Sequence, residues 1–556
     1  MKLKIGVSIF VFALFLSLLI HTASSKSVAY DEIIYAPAGL LYWNAGPSTW
    51  NLEHPPLQKL LSAIPWLITK AKLPPLTMLP QFNSWSFGYE VFFYNNQPGP
   101  SLLSLSRIPS IFISMLLALG VFWLVLTEFG MTAALIALLV TTLDPLILAN
   151  GALAMNDIFI TTFFFLTFAF FIRWLNKPDQ FRYLVMSGIM AGSAIGSKFS
   201  GILIFPALFL TTLCTPSTNP HMKKAKWLGA ALIVAISVLI VLVLYHFNFN
   251  LLRDSLQAGF SFHNKSQTIG FFHGPISAAS GWFYFPIVLL IKTPIPLLIL
   301  WPLSIIILIQ RNPNRNFLLA FVIPATLVLM AALISKNHFG VRYLLPMMPC
   351  LAVLVGSCWT FLQRQEKISF VLALLWLAIE TLAIHPHHMT YFNQIIGGSK
   401  NGYLWLDGSN QDWGQDLKRL GQYWEKQGKP ALLLSYVGSG RPEAWGLRYQ
   451  DVFSPAITSA AHEKILFPAD VDKEFFAISA NLRAHPECES MFEWLNHKKP
   501  AANIGNTIFV YDISHDVESV ERIADIYRYE KNQTAWQRQK DRLTFLKNQG
   551  TTKELF

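Results

Sequence analysis

The chain has 556 residues, 53% hydrophobic and 14% aromatic, with only 13% charged and a mean hydropathy of +0.40. A soluble protein carries about 25% charged residues, so most of this chain belongs in lipid. The formal net charge of +11 does not point to nucleic acid, because Lys and Arg fall in short loops between apolar runs, the positive-inside pattern of a polytopic membrane protein.

Residues 5–21 form the first apolar run after a short basic start. It could be a cleaved signal peptide; a retained span is favoured, since an acidic stretch follows at once. Asp31 and Glu32 stand where that span should meet water. A carboxylate there either caps a helix or takes a proton from an acceptor hydroxyl or amine. Aromatics of the interfacial type follow (Tyr35, Tyr42, Trp43, Trp50). Glu53-His54-Pro55-Pro56 then opens a short helix in which Leu57, Leu60, Leu61, Ile64 and Leu67 share a face, with Gln58 and Lys59 on another, the pattern of a helix lying on the membrane surface. A second aromatic patch, Trp85 to Tyr94, reads likewise.

Further apolar segments at 108–127, 132–149, 158–175, 183–197, 200–215, 228–246, 294–310, 317–334, 343–362 and 368–385 bring the expected spans to roughly eleven. With the amino terminus inside, the inner loops hold most of the Lys and Arg, and both the outer loops (22–106 and 247–292) and the carboxyl terminus lie outside. After residue 385 the long apolar runs stop. ALLLSYV (431–437), FFAISA (475–480) and TIFVYDI (507–513) predict strands, and 412–428 and the last twenty-odd residues predict helices. The expected organisation is a membrane domain over 1–385 and an extracytoplasmic soluble α/β domain over 386–556.

Cations near a membrane face need counter-charges, and a lipid phosphate would supply one. On the expected outer side these are Lys198, Lys292, Arg342 and Arg107; each could instead snorkel at a span end. Asp157 is the second outer acid, either capping the following span or facing Asp31 to position the acceptor. His54 could donate to a phosphate. His338 and the His385-Pro386-His387-His388 run could bind zinc, but their spacing shows no helical pairing, and no metal ligand is assigned. The four cysteines (Cys214, Cys350, Cys358, Cys488) have neither metal spacing nor a disulfide framework. No P-loop or dinucleotide fingerprint is present.

Asp31-Glu32 after the first span, Glu53-His54-Pro55-Pro56, Asp157, Lys198 and Arg342-Tyr343-Leu344-Leu345-Pro346 occur in an order and spacing that resemble the GT-C membrane glycosyltransferases, in the group joining protein O-mannosyltransferases and lipid A aminoarabinose transferases. The resemblance covers about residues 1–385. Relatives often carry Lys where this chain has His54. The stretch FNQIIGGSKNGYLWLDGSNQDWGQDLKRL is similar to the tail of bacterial members of the group, without a catalytic role attached to it. The resemblance implies an α-helical polytopic enzyme of the bacterial inner membrane, its active site on the outer side. It would move a sugar from a polyprenyl-phosphate carrier to a protein hydroxyl, lipid A or a glycan. Asp31 would be the general base of an inverting attack, with Glu32 and Asp157 beside it, and Lys198, Arg342, Lys292, Arg107 and His54 would bind the donor phosphate. Membrane lipid, the lipid-linked sugar and an acceptor protein or glycolipid are the expected partners; a divalent metal stays open. A transporter or lipid flippase is the alternative, although no internal repeat of the kind common in transporters is visible.

Overall fold

The computed structural model describes residues 2–47, 50–216, 220–265, 281–312, 314–455, 465–484 and 486–553. His273 of the expected outer loop 247–292 lies outside the described residues. The described chain packs as two units, one built from 2–24, 34–265 and 281–398, the other from 25–33 and 399–553. The second unit therefore starts at Ser399 rather than 386, and it takes in a segment just after the first span.

In the first unit, seven described helices are long and apolar enough to cross a bilayer: Lys2–Ser25, Gly99–Phe129, Asn156–Asn176, His221–Leu244, Arg315–Ile334, Val341–Phe361 and Arg364–Ile384. Two further apolar segments are broken. Met131–Thr142 and Pro145–Gly151 meet at 64°, and Gly281–Lys292 and Ile295–Arg311 at 109°, for up to nine spans. Both breaks fall at an X-Pro step, where proline disfavours helical backbone in the residue before it; at the first, the Asp144 Oδ1 accepts the Leu146 N–H at 2.8 Å and starts the new helix. The other two expected spans coincide with shorter helices, Phe181–Ser197 and Phe199–Cys214.

Phe181–Ser197 packs on Pro220–Leu244 through one face of small residues. A Cβ on Gly188, Gly192 or Gly196 would come within 2.7 Å of Ile236, Ile240 or Leu244 respectively. Glycines four apart let two apolar helices approach closely where no water-driven force holds them together. This contact fixes the end of the helix from which Lys198 emerges.

The helix Pro56–Ile68 corrects the surface-helix expectation in one respect. Its buried residues include Gln58, Lys59 and Ser62, whereas Ile64, Leu67 and Ile68 are exposed. In lipid apolar residues can point outward, while polar groups must find protein partners, so Gln58, Lys59 and Ser62 pack together with Leu60, Ala63 and Trp66.

The second unit carries a five-stranded sheet in the order β2-β1-β3-β5-β4, formed by β1 (Ala431–Ser435), β2 (Gln450–Asp451), β3 (Glu474–Ser479), β4 (Ala502–Ile504) and β5 (Ile508–Asp512). β1 runs parallel to β2 and β3, and β5 is antiparallel to β3 and β4. Alternate residues feed two cores. Leu433, Phe476 and Ile478 pack with Ile523 and Tyr527 of the helix Val517–Tyr529, while Leu432, Leu434, Phe475 and Ala477 pack with Leu417, Leu420 and Trp424 of the helix Leu417–Lys426. Burial on both faces explains why these strands read as continuous apolar runs. The helix expected over 412–428 begins only at Leu417; residues 411–416 form a buried loop.

Candidate functional site

The helix Asn156–Asn176 starts after Met155 with no side-chain cap. Asp157, in its first turn and 1% exposed, turns its carboxylate to two cations instead: Oδ1 lies 2.7 Å from Lys198 Nζ and Oδ2 3.4 Å from Arg342 Nη1. Lys198 leaves the preceding helix in an extended conformation, and the chain turns at once, the Gly201 N–H donating to the Lys198 carbonyl at 2.9 Å. Arg342 sits in the 3-10 turn Val341–Met347, entered through Gly340 at φ +102°, a backbone geometry that costs glycine little. The Tyr343 ring lies 4.4 Å from Lys198 Nζ and 5.9 Å from Arg342 Cζ, close enough for its face to attract both cations.

These residues border a cavity of about 350 Å³ whose remaining walls are mostly apolar, among them Ile160, Phe164, Leu203, Phe260, Val328 and Ala332. Within the cluster one carboxylate faces two cations at the mouth of an apolar space. That combination suits an anion carried on a hydrocarbon chain.

His54 approaches the same cluster from the first loop. Its Nδ1 lies 3.3 Å from the Asn156 Nδ2, and its ring is 5.5 Å from that of Tyr35. Burial, then the charges of Lys198, Lys59 and Arg342, hold its pKa well below the usual histidine value. The imidazole is therefore neutral near pH 7, and its Nδ1 accepts from the amide. Gln58 Nε2 donates to the Ala154 carbonyl at 3.1 Å, tying Pro56–Ile68 to the turn before Asp157.

Lys59 was not among the sequence-derived site residues. Its buried ammonium donates to the carbonyls of Asn51 (2.8 Å) and His54 (2.7 Å), closing the loop that carries His54, with Asn51 at φ +55°. The signal was a polar set, Gln58, Lys59 and Ser62, on an otherwise apolar helix. Burial pulls the Lys59 pKa down to about 7 from 10.5, with Glu53 opposing. Because the folded value lies below the unfolded one, its contribution to stability is full above about 10.5 and is lost as pH falls through about 7. Lys59→Met is expected to flatten this dependence and, by orphaning two carbonyls, to destabilise the protein by about 1–3 kcal/mol at pH 7. Thermal unfolding in detergent at neutral and alkaline pH checks both effects.

The other expected phosphate ligands go elsewhere. Arg107 is fully buried within Gly99–Phe129 and donates to the Ala23 carbonyl at 2.6 Å, in the last turn of Lys2–Ser25, where a cation is favoured. Lys292 Nζ donates to the Met389 carbonyl at 2.7 Å and lies 4.1 Å from the Phe392 ring centroid. Neither lines the cavity. Asp31 and Glu32 pack with the second unit. Glu32 is fully buried, its Oε2 accepting the Ala29 N–H at 2.8 Å, while Asp31 is partly exposed. The histidine run forms a chain of ring contacts, His21 Nδ1 to His385 Nε2 at 2.6 Å and His385 Nδ1 to His388 Nε2 at 3.0 Å. Among the described residues no group of three or more His, Cys, Asp or Glu could hold a metal ion.

Residues 103–245, which include Asp157 and Lys198, match the family model described as dolichyl-phosphate-mannose-protein mannosyltransferase. No curated protein matches the chain in sequence. Among solved structures, ArnT from Cupriavidus metallidurans bound to undecaprenyl phosphate aligns over 91% of this chain and 98% of its own, at 13% identity and a TM-score of 0.52. The same protein in the apo state aligns over the same shares at 13% identity and a TM-score of 0.51.

Proposed function

We propose that this chain, a GT-C-type membrane glycosyltransferase of the protein O-mannosyltransferase and ArnT group, moves a sugar from a polyprenyl-phosphate carrier to an acceptor hydroxyl or amine on the outer face of a bacterial inner membrane. The observation that carries the reading is the Asp157–Lys198–Arg342 cluster at an apolar cavity. A sugar leaving from C1 transfers its bonding electrons to a phosphate oxygen, and that developing charge needs fixed cations more than it needs an acid. Lys198 and Arg342 supply them. Asp157 holds the two cations apart and in place, and the apolar walls take the lipid chain. Neutral His54 can donate Nε2–H to a phosphate oxygen.

Asp31 is the general base in this reading. It removes the acceptor proton as the acceptor attacks C1 opposite the leaving phosphate, with inversion. Glu32, whose carboxylate serves the start of the helix Glu32–Ala45, supports the backbone there.

The test is binding to the purified protein in nanodiscs. Undecaprenyl phosphate is expected to bind about 100-fold more tightly than undecaprenol, and a labelled sugar to leave polyprenyl phosphate in membranes containing the protein. Equal binding of phosphate and alcohol, or no transfer to any envelope fraction, would overturn the reading in favour of a transporter or flippase.

A further inference from the structure

The stretch around Asp412-Trp413-Gly414-Gln415-Asp416 has no part in the chemistry described so far, yet it is among the most buried polar loops in the chain. Gln411, Asp412 and Gln415 are each 1% exposed and Asp416 is fully buried. What it holds is the segment that leads out of the first span. Lys26 Nζ donates to both Asp416 oxygens, at 2.8 and 3.0 Å, in an ion pair only 3% and 0% exposed. The Ser27 N–H donates to the Gln415 carbonyl and the Tyr30 N–H to the Trp413 carbonyl, both at 2.9 Å, like a strand added antiparallel to the loop. The Ser27 hydroxyl donates to the Gly414 carbonyl at 3.2 Å and accepts the Leu417 N–H at 2.9 Å. Ser439 Oγ donates to the Tyr30 carbonyl at 2.7 Å. The next two residues are Asp31 and Glu32.

The loop is itself locked. Gly414 stands at φ +81°, and its carbonyl accepts from the buried Tyr436 hydroxyl at 2.7 Å. Thr507 Oγ1 donates to Asp416 Oδ2 at 3.0 Å, and a Cβ on Gly505 would come within 2.6 Å of that oxygen. A buried ion pair braced in this way is a poor source of net stability against an apolar replacement, and its best-attested use is to specify one arrangement over others.

We propose that Lys26, Ser27 and Asp416 are positioning residues for the Asp31–Glu32 pair: the carboxyl-terminal domain acts in transfer by fixing the backbone that carries the general base. This rests on the assignment of Asp31 as base. It gives the Gln411–Asp416 loop a role in the rate of the chemical step rather than in donor binding.

The experiment compares Lys26→Met, Lys26→Arg and the milder Ser27→Ala with Arg538→Met, all in the full-length protein. Arg538 forms a buried ion pair with Glu474 in the same domain and is bonded to Phe467 and Pro468, not to the 25–33 segment. Lys26→Met is expected to speed hydrogen exchange in the peptide spanning 27–34. It is also expected to lower kcat about 10- to 100-fold through misplacement of the base, with the donor KM held within about twofold. Lys26→Arg should recover most of the rate, and Ser27→Ala should shift both readouts in the same direction by less. Arg538→Met should lower thermal stability and leave kcat of the folded fraction unchanged. Wild-type kcat and exchange in Lys26→Met, or in Ser27→Ala should Lys26→Met fail to fold, overturns the proposal, as does an equal loss of kcat in Arg538→Met. Faster exchange without loss of kcat overturns it also. If Asp31→Asn in parallel retains transfer, the fault lies in the base assignment and not in the clamp.

Discussion

Lys198→Met is expected to lower kcat/KM for a lipid-linked sugar by about 10²–10³-fold, the size of effect seen when one fixed donor to a developing oxyanion is removed. Arg342→Met should cost a similar amount. Neither change is expected to unfold the protein, because each leaves Asp157 with one of its two cations. Asp157→Asn is different. It leaves two cations buried against one another, and breaking a buried pair from one side costs about 3–5 kcal/mol. Its main signature should be lost folded yield, and thermal unfolding in detergent separates the two cases. Combining Asp157→Asn with Lys198→Met should restore much of the stability, since the two cations then no longer face each other across a neutral amide, while transfer stays as low as in Lys198→Met. Wild-type kcat/KM in Lys198→Met would remove the cavity from the mechanism.

The sequence displays this cluster because each member is an ionised residue next to a long apolar run, where solvation alone cannot explain it. The same property marks Arg107 and Lys292. Both are cations at the edge of apolar segments whose contacts include a backbone carbonyl, of Ala23 and Met389, and nothing in spacing distinguishes a carbonyl partner from a phosphate. Hydropathy located the spans, and their breaks are legible only residue by residue. The turn at Asp144-Pro145 and the bend at Thr293-Pro294 depend on proline's effect on the preceding residue, which a sliding average does not register.

At Pro56–Ile68 the apolar face was legible as the lipid-facing one, but the burial of Gln58, Lys59 and Ser62 was not, because their protein partners are remote in sequence or lie in the loop before the helix. The strands at 431–435, 474–479 and 508–512 were legible as short apolar runs, whereas the two- and three-residue edge strands β2 and β4 carry too few residues to show any period. Least legible was the tie between Lys26 and Asp416, which are 390 positions apart. Two ordinary polar residues so distant in sequence announce nothing until the fold brings them together.

Asp31→Asn should have the other large effect, a fall in kcat of about 10²–10⁴-fold, the usual contribution of a positioned general base. The substitution keeps size and shape and removes the negative charge and, with it, the capacity to take the acceptor proton. Donor binding, read with undecaprenyl phosphate, should therefore persist at wild-type strength while turnover collapses. The pH profile sharpens the test. In the wild type, kcat/KM is expected to fall toward acid if Asp31 is the base; in Asp31→Asn that acidic limb should be missing from whatever activity is left. Glu32→Gln is the matched control. Its side-chain carbonyl can still accept the Ala29 N–H, the contact that Glu32 makes at the head of its helix, so turnover should stay within about threefold of wild type. The reverse ranking, with Glu32→Gln inactive and Asp31→Asn unimpaired, would transfer the role of base to the buried carboxylate. It would also require the start of the helix Glu32–Ala45 to open during turnover, because Glu32 is fully buried as it stands. Product stereochemistry gives an independent check: a single displacement inverts C1, and retention would demand a covalent or front-side step for which a lone base is insufficient.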